Sequence, residues 1–354
     1  MTIKALASLA LMGLFAGAPA FAQMETIPGP PPVYVWRHEL RMQGHLALRD
    51  SPDGAFSPDG STLAVTEKRR VILISLIDGH PVKILQPILR GIDDLEIQSA
   101  SYVSPTRLFI LASGVVKGKG RGQVAPVPEL AFQWDIAQSA LAGKLESLGR
   151  GGGFLPARYF PRIRYVALYK NSTFTLWNPV TDRAGNISVP ELKHPPHLFA
   201  VSPDGHWMLL AQIETNSTPN PIVVSLQQRA FVNVLPGHGG TVLSMTFSRD
   251  GTMLETSCED GKVRLWSVPG WKLLRTLSGN LGPVRWAEFS PHGRYVASAG
   301  EDDTVRIWET ATGKLLQTLE ESKQPLLTVA FSPDGRYLAA TSQNEVHAWV
   351  RTAE

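Results

Sequence analysis

The chain has 354 residues, 43% of them hydrophobic and 18% charged, with 34 Lys and Arg against 31 Asp and Glu. So even a balance argues against a nucleic-acid partner, which normally shows a basic stripe, and the supply of Val, Leu, Phe and Trp suits a large buried β core. The single cysteine, Cys258, rules out a disulfide framework and reads as a small core residue rather than a reactive thiol.

Residues 1–22 have the pattern of a secretion signal. Lys4 supplies the positive start, Ala5 to Ala18 is an apolar run too short to span and stay, and Ala20-Phe21-Ala22 is a small-x-small cleavage site. No Cys follows the cut, which argues against a lipid anchor. The expected product begins at Gln23 and is periplasmic in a bacterium; the alternative is an uncleaved anchor. No second membrane-length apolar segment follows. Residues 23–32 end in Pro28-Gly29-Pro30-Pro31-Pro32, an extended, solvated leader.

The remainder, 33–354, reads as one all-β domain. An outer strand is expected around Tyr34 to Gln43, because Met42-Gln43-Gly44-His45 resembles Leu235-Pro236-Gly237-His238 further on. Phe56-Ser57-Pro58-Asp59-Gly60 then opens a first unit whose third strand is Val71 to Ile74. A second unit is degenerate, with Val103-Ser104-Pro105 for the turn and Phe132-Gln133-Trp134-Asp135 for the closing strand. A third is weaker still, carrying Tyr165-Val166-Ala167-Leu168 and Phe174-Thr175-Leu176-Trp177. Val201-Ser202-Pro203-Asp204-Gly205 opens a fourth, with Ile222-Val223-Val224-Ser225 as its third strand.

From Gly237 one unit is written three times. Phe247-Ser248-Arg249-Asp250-Gly251 returns 42 residues later as Phe289-Ser290-Pro291-His292-Gly293 and again as Phe331-Ser332-Pro333-Asp334-Gly335. Glu259-Asp260-Gly261-Lys262-Val263-Arg264-Leu265-Trp266 is answered by Glu301-Asp302-Asp303-Thr304-Val305-Arg306-Ile307-Trp308, and the last copy ends in Glu345-Val346-His347-Ala348-Trp349. Short β-type runs between turn residues at a fixed period mark a repeat architecture. A four-stranded sheet of about 40 residues cannot hide both faces alone, so such sheets stack around an axis.

These residues resemble the WD-repeat family of β-propellers over roughly residues 33–351. The resemblance implies a seven-bladed propeller of four-stranded antiparallel blades, its ring closed by the N-terminal strand; six or eight blades would also fit, since the second and third are placed by spacing. It implies that His238, Thr256, Asp260 and Trp266 form a hydrogen-bonded chain locking one blade. Ser298, Asp302 and Trp308 take the same places in the next, where Asn280 stands for His. The last blade has lost both His and Asp. Partner contacts in such propellers come from the residue before the turn Asp and from the first strand near its bulge. Here those are Glu259, Glu301, Leu243, Arg285 and Leu327, with His197 a weaker match in the fourth blade.

Other candidates have ordinary readings beside the functional ones. Lys117-Gly118-Lys119-Gly120-Arg121-Gly122 could hold a phosphate through backbone amides or be a solvated loop, and it lacks the spacing of a nucleotide loop. Gly149 to Gly153 reads as a linker. His194-Pro195-Pro196-His197 lacks further ligands for a metal, and His38-Glu39 lacks the second His of a zinc protease helix. No Gly-x-Ser-x-Gly elbow, haem attachment site or triad spacing occurs. No catalytic residue, cofactor or metal is therefore expected. The first functional reading is a non-catalytic periplasmic scaffold for a protein or peptide partner. The alternative is a propeller enzyme, or a small-ligand or metal binder using the central channel. A third reading, envelope-polymer recognition, needs exposed aromatics on one face; Trp207, Trp271 and Trp286 are the candidates unless they pack between blades.

Overall fold

The computed structural model describes residues 35–43, 55–90, 92–117, 124–142, 146–147, 158–160, 165–170, 173–178, 183–188, 196–212, 220–320, 322–343 and 345–352. The signal, the leader, the glycine cluster after Gly149, and most of the Lys117–Gly122 and His194–His197 stretches lie outside these residues. What is described is all strand and turn, with no helix among the described residues.

The strands form seven antiparallel sheets. The first has Thr62–Glu67, Arg70–Ser75 and Pro81–Leu85, with its inner strand reduced to the single bridge between Phe56 and Leu63. The second is built on long strands, Asp93–Ser104, Arg107–Lys117 and Val124–Asp135, which explains its lengthened period. The third starts from Arg158–Phe160 and ends with Arg183–Ser188, and the fourth runs from Pro196–Val201 to Ala230–Val234. The fifth comprises Val242–Phe247, Met253–Cys258, Lys262–Ser267 and Leu273–Ser278. The sixth comprises Val284–Phe289, Tyr295–Gly300, Val305–Glu309 and Leu315–Leu319. The seventh has Thr328–Phe331, Tyr337–Thr341 and Glu345–Thr352, and its fourth strand is Val35–Gln43. That strand pairs antiparallel with Glu345–Thr352, from Val35 opposite Thr352 to Gln43 opposite Glu345.

Both faces of a sheet here are apolar, because each meets a neighbour. Val263 and Leu265 pack on Phe289 and Trp308 of the sixth sheet, while Trp266, on the opposite face, packs on Leu209 and Val223 of the fourth. Trp286 and Ile307 meet Leu338 and Trp349 of the seventh. Ala330 and Val346 of the seventh meet Leu63 and Ile74 of the first, and Leu73 and Leu85 of the first meet Ile97 and Phe132 of the second. Phe174 of the third is edge-on to Phe199 of the fourth at 5.5 Å. Cys258 is fully buried, as a small core residue. The three tryptophans considered for polymer recognition also fill junctions: Trp271 and Trp286 are buried, and Trp207 lies edge-on to Trp271 at 5.3 Å. These three therefore pack at sheet junctions rather than forming an exposed aromatic face.

The turn between the first two strands is built the same way in four sheets. In the fifth, Ser248 Oγ donates to Asp250 Oδ1 at 2.6 Å and accepts the Met253 N–H at 2.9 Å, while Asp250 Oδ1 also takes the Thr252 N–H. Ser57 and Asp59, Ser202 and Asp204, and Ser332 and Asp334 repeat it. Where His292 replaces the Asp, Ser290 still accepts the Tyr295 N–H at 3.0 Å. Gly60 follows with φ of 70°, which only glycine adopts cheaply, and a Cβ there would lie 3.2 Å from Asp334 Cγ in the seventh sheet.

A chain beginning at Gly44 would leave the Glu345–Thr352 strand as an open sheet edge. It should melt at a lower temperature than a chain beginning at Val35 and should associate; size-exclusion chromatography and thermal unfolding check both points, and equal behaviour would contradict the pairing.

Candidate interaction surface

In the fifth sheet three of the four expected side chains form a direct chain. Trp266 Nε1 donates to Thr256 Oγ1 at 3.1 Å, and Thr256 Oγ1 lies 2.9 Å from His238 Nε2. His238 Nδ1 is 3.1 Å from the Leu235 carbonyl, which can only accept, so the proton sits on Nδ1 and the Thr256 hydroxyl donates to Nε2. Burial, then the nearby Arg264 charge, pushes the His238 pKa down to about 4, keeping the ring neutral. The ring stacks on Trp266 at 5.8 Å.

Asp260 takes another partner than the resemblance implied. Its carboxylate accepts the Gly239 N–H at 2.9 Å and two bonds from Arg264, the shorter 2.6 Å. Arg264 is buried and Asp260 mostly so, with side-chain exposures of 6% and 12%. Burial alone would raise the Asp260 pKa, but the Arg264 hydrogen bonds, the Gly239 N–H and the Arg264 charge outweigh it and hold the group at about 2.

The sixth sheet joins all its members through the equivalent arginine. Trp308 Nε1 donates to Ser298 Oγ at 2.9 Å, and Ser298 donates to Asn280 Oδ1 at 3.2 Å. Arg306 Nη1 reaches Asn280 Oδ1 at 3.3 Å and also bonds Asp302. Asn280 thus carries the place of His, and its Nδ2 ties back to the Gly261 carbonyl of the fifth sheet at 3.2 Å. In the seventh sheet His347 occupies the arginine position, stacked on Trp349 at 5.9 Å and 3.4 Å from Glu345. The sequence reading left these arginines unassigned. The signal was present: Asp260 and Arg264, and Asp302 and Arg306, share one spacing in consecutive repeats, on strands where a charge would otherwise be out of place.

These locks hold the ends of the hairpins, and the candidate partner residues stand beside them. Leu243 and Arg285 sit at the bulges between Val242 and Ser244 and between Val284 and Trp286, where the extra residue turns its side chain out of the ladder. Arg285 pairs with Glu301 across 16 residues of chain. Glu259, the equivalent of Glu301, is exposed but bends back to accept the Thr241 N–H at 3.0 Å. Leu327 is exposed just ahead of the seventh sheet's inner strand. His197 Nε2 donates to the Val242 carbonyl, 2.7 Å away, and so joins the fourth sheet to the fifth; burial lowers its pKa.

One residue of this surface escaped the sequence reading. Leu281, in the connection between fifth and sixth sheets, is 87% exposed. Its loop is fixed on both flanks: Asn280 Nδ2 donates to the Gly261 carbonyl and the Leu281 N–H to Asp302 Oδ2 at 2.8 Å, while the Pro283 carbonyl accepts the Glu301 N–H at 3.0 Å. An aliphatic side chain between Gly279-Asn280 and Gly282-Pro283, in a connection with no alternating pattern, was the available sign. Among the described residues no group of three or more His, Cys, Asp or Glu is placed to hold a metal ion, and no helix is long and apolar enough to cross a membrane.

Trp266→Ala should cost roughly 3–5 kcal/mol, the usual range for an emptied tryptophan site, and an unchanged melting temperature would remove the lock. Acid should release the Asp260 pair. Its folded pKa lies below the ordinary 3.8, so the stability it contributes is present above that value and is lost as pH falls through about 2. Asp260→Asn should flatten that part of the acid unfolding profile measured by circular dichroism; an identical profile would contradict the pairing.

No curated protein matches the chain. The family model described as WD domain, G-beta repeat, matches residues 229–267, 271–309 and 313–349, each span closing on a strand that carries Trp266, Trp308 or Trp349. Residues 229–349 thus carry three repeats of the WD-repeat family.

Proposed function

We propose that this protein is a non-catalytic docking platform for a protein or peptide, exported to the periplasm after removal of residues 1–22, and built as a closed seven-bladed propeller. The observation that carries the docking reading is Leu281, an aliphatic side chain held 87% exposed on a loop pinned at both ends. An exposed side chain on a fixed loop contacts a partner without the ordering cost that a flexible loop would add. Glu301, whose Cβ would lie 3.7 Å from a Cβ on the adjoining Gly282, and its partner Arg285 supply polar groups near it, as in the rim that such an apolar contact has in protein interfaces. WD repeats generally serve protein–protein scaffolding, which supports the reading from the family side. The near-even charge supports a protein partner over nucleic acid.

Export is supported by the Lys4 start, the apolar run and the Ala20-Phe21-Ala22 site. The closed ring is supported by the Val35–Gln43 pairing and by the contact of first and seventh sheets.

Crosslinked affinity purification from periplasmic extract, with the amino terminus sequenced, tests these points together. The purified chain should begin at Gln23. One protein should be enriched with the wild type and lost with Leu281→Asp and with Glu259→Arg/Glu301→Arg, all folded by circular dichroism. Equal enrichment by all three would move the surface elsewhere. No enrichment by any would end the scaffold reading in favour of a ligand in the central channel.

A further inference from the structure

We propose that the junction between the fifth and sixth sheets is a pH-sensitive seam, closed while Glu255 carries a proton and loosened once it ionises. The proposal rests on the interior of two sheets that are fully described, and does not depend on the docking reading.

Glu255 lies in the Met253–Cys258 strand, opposite Thr246 on one side and Leu265 on the other. Its side chain is wholly buried, at 0% exposure. The face it shares with Ser244 and Ser257 is the one turned to the sixth sheet, alongside Val263 and Leu265, which pack on Ala287, Phe289 and Val296. Ser244 is the bridge across this seam. Its Oγ accepts the Ala287 N–H at 3.0 Å and lies 2.7 Å from Ser257 Oγ and 3.4 Å from Glu255 Oε1. Thr246 Oγ1 reaches the Ala287 carbonyl at 3.4 Å. The second carboxyl oxygen, Oε2, has no hydrogen-bond partner.

Among the described residues no cation is bonded to this carboxyl. The charged groups of the strands and turns around it are engaged elsewhere. Below, Arg249 donates to the Pro333 carbonyl and Asp250 closes its own turn. On the fifth sheet's outer strand Arg275 holds the Ala311 carbonyl. From the sixth sheet, Arg285 pairs with Glu301, Arg306 with Asp302, and Arg294 lies over the Tyr295 ring. His292 is exposed in its turn, and Glu288, next in sequence to the seam-facing Ala287, is directed to the other side of its strand. Arg264 and Lys262 belong to the opposite face of the fifth sheet, with Trp266.

Burial therefore pushes the Glu255 pKa up to about 8, opposed only in part by the hydrogen bonds of Thr246 and Ser244. A neutral carboxyl can share the Ser244 and Ser257 hydroxyls. A carboxylate at the same place is cut off from bulk solvent and has no counter-ion among the described residues, and both are regained if the sheets separate. The direction follows from proton counting. An opened seam lets Glu255 titrate near its ordinary 4.5, while the closed seam keeps the proton to about 8. Between those values the closed form holds one proton more than the open form. The closed-to-open ratio should then fall about tenfold per pH unit, and level off above that range.

Hydrogen exchange of the intact protein reads this at the Ala287 amide, which donates across the seam. After division by the intrinsic exchange rate, its protection in the wild type should fall about tenfold per pH unit from pH 5 to pH 8 and then flatten. In Glu255→Gln the protection should stay level over the same interval. A flat wild-type profile would overturn the proposal without reference to any variant. A slope of the same size in Glu255→Gln would also overturn it, by assigning the effect to another group.

Discussion

Every sheet in this chain is too small to hide its own faces, and the structure follows from that shortage. Four strands of about six residues present two apolar surfaces, and only a neighbouring sheet on each side removes both from water. This is why Val263, Leu265 and Trp266, adjacent in one strand, are all buried although their side chains alternate. It is also why charged groups so rarely occur in the middle strands, and why those that do are informative. Arg264 and Arg306 are each buried against an aspartate four residues earlier. Removing either partner would leave an uncompensated charge between sheets, so the pair fixes how the hairpin end meets its neighbour.

The same constraint separates two kinds of buried acid. Asp260 and Asp302 are partly buried but ionised, because backbone N–H groups and arginine meet them. Glu255 is wholly buried, lacks any such partner, and is pushed the opposite way. Position on the strand decides which outcome applies: a hairpin end has unpaired amides to offer, whereas the middle of a strand has spent its amides on the ladder.

The architecture was legible in the sequence where the period was regular. Phe247, Phe289 and Phe331, with the Ser-x-x-Gly turns after them, placed the strands of the last three sheets to within a residue or two. The seventh sheet's fourth strand was legible too, from the likeness of Met42-Gln43-Gly44-His45 to Leu235-Pro236-Gly237-His238. The hydrogen-bond chain was less so. Which side chain Asp260 meets depends on where a guanidinium four residues on can reach, and a repeat pattern does not contain that distance. Leu281 was missed because a connection carries no periodicity to mark an apolar residue as unusual. Glu255 was missed because alternation marks a polar residue as outward, and here no face is outward.

The pairing of Val35–Gln43 with Glu345–Thr352 also sets an order of events. Val35 and Thr352 come from opposite ends of the chain, yet they are neighbours in one ladder. The Val35–Gln43 strand has its ladder partner only once Glu345–Thr352 has been made. Contacts of such sequence separation are the slowest to form, because the loop entropy is lost before any contact rewards it. Among the described strands the other six sheets pair segments close in sequence, whereas the seventh also needs this long-range ladder. A chain lacking Glu345–Thr352 would therefore hold Val35–Gln43 as a strand without its ladder partner.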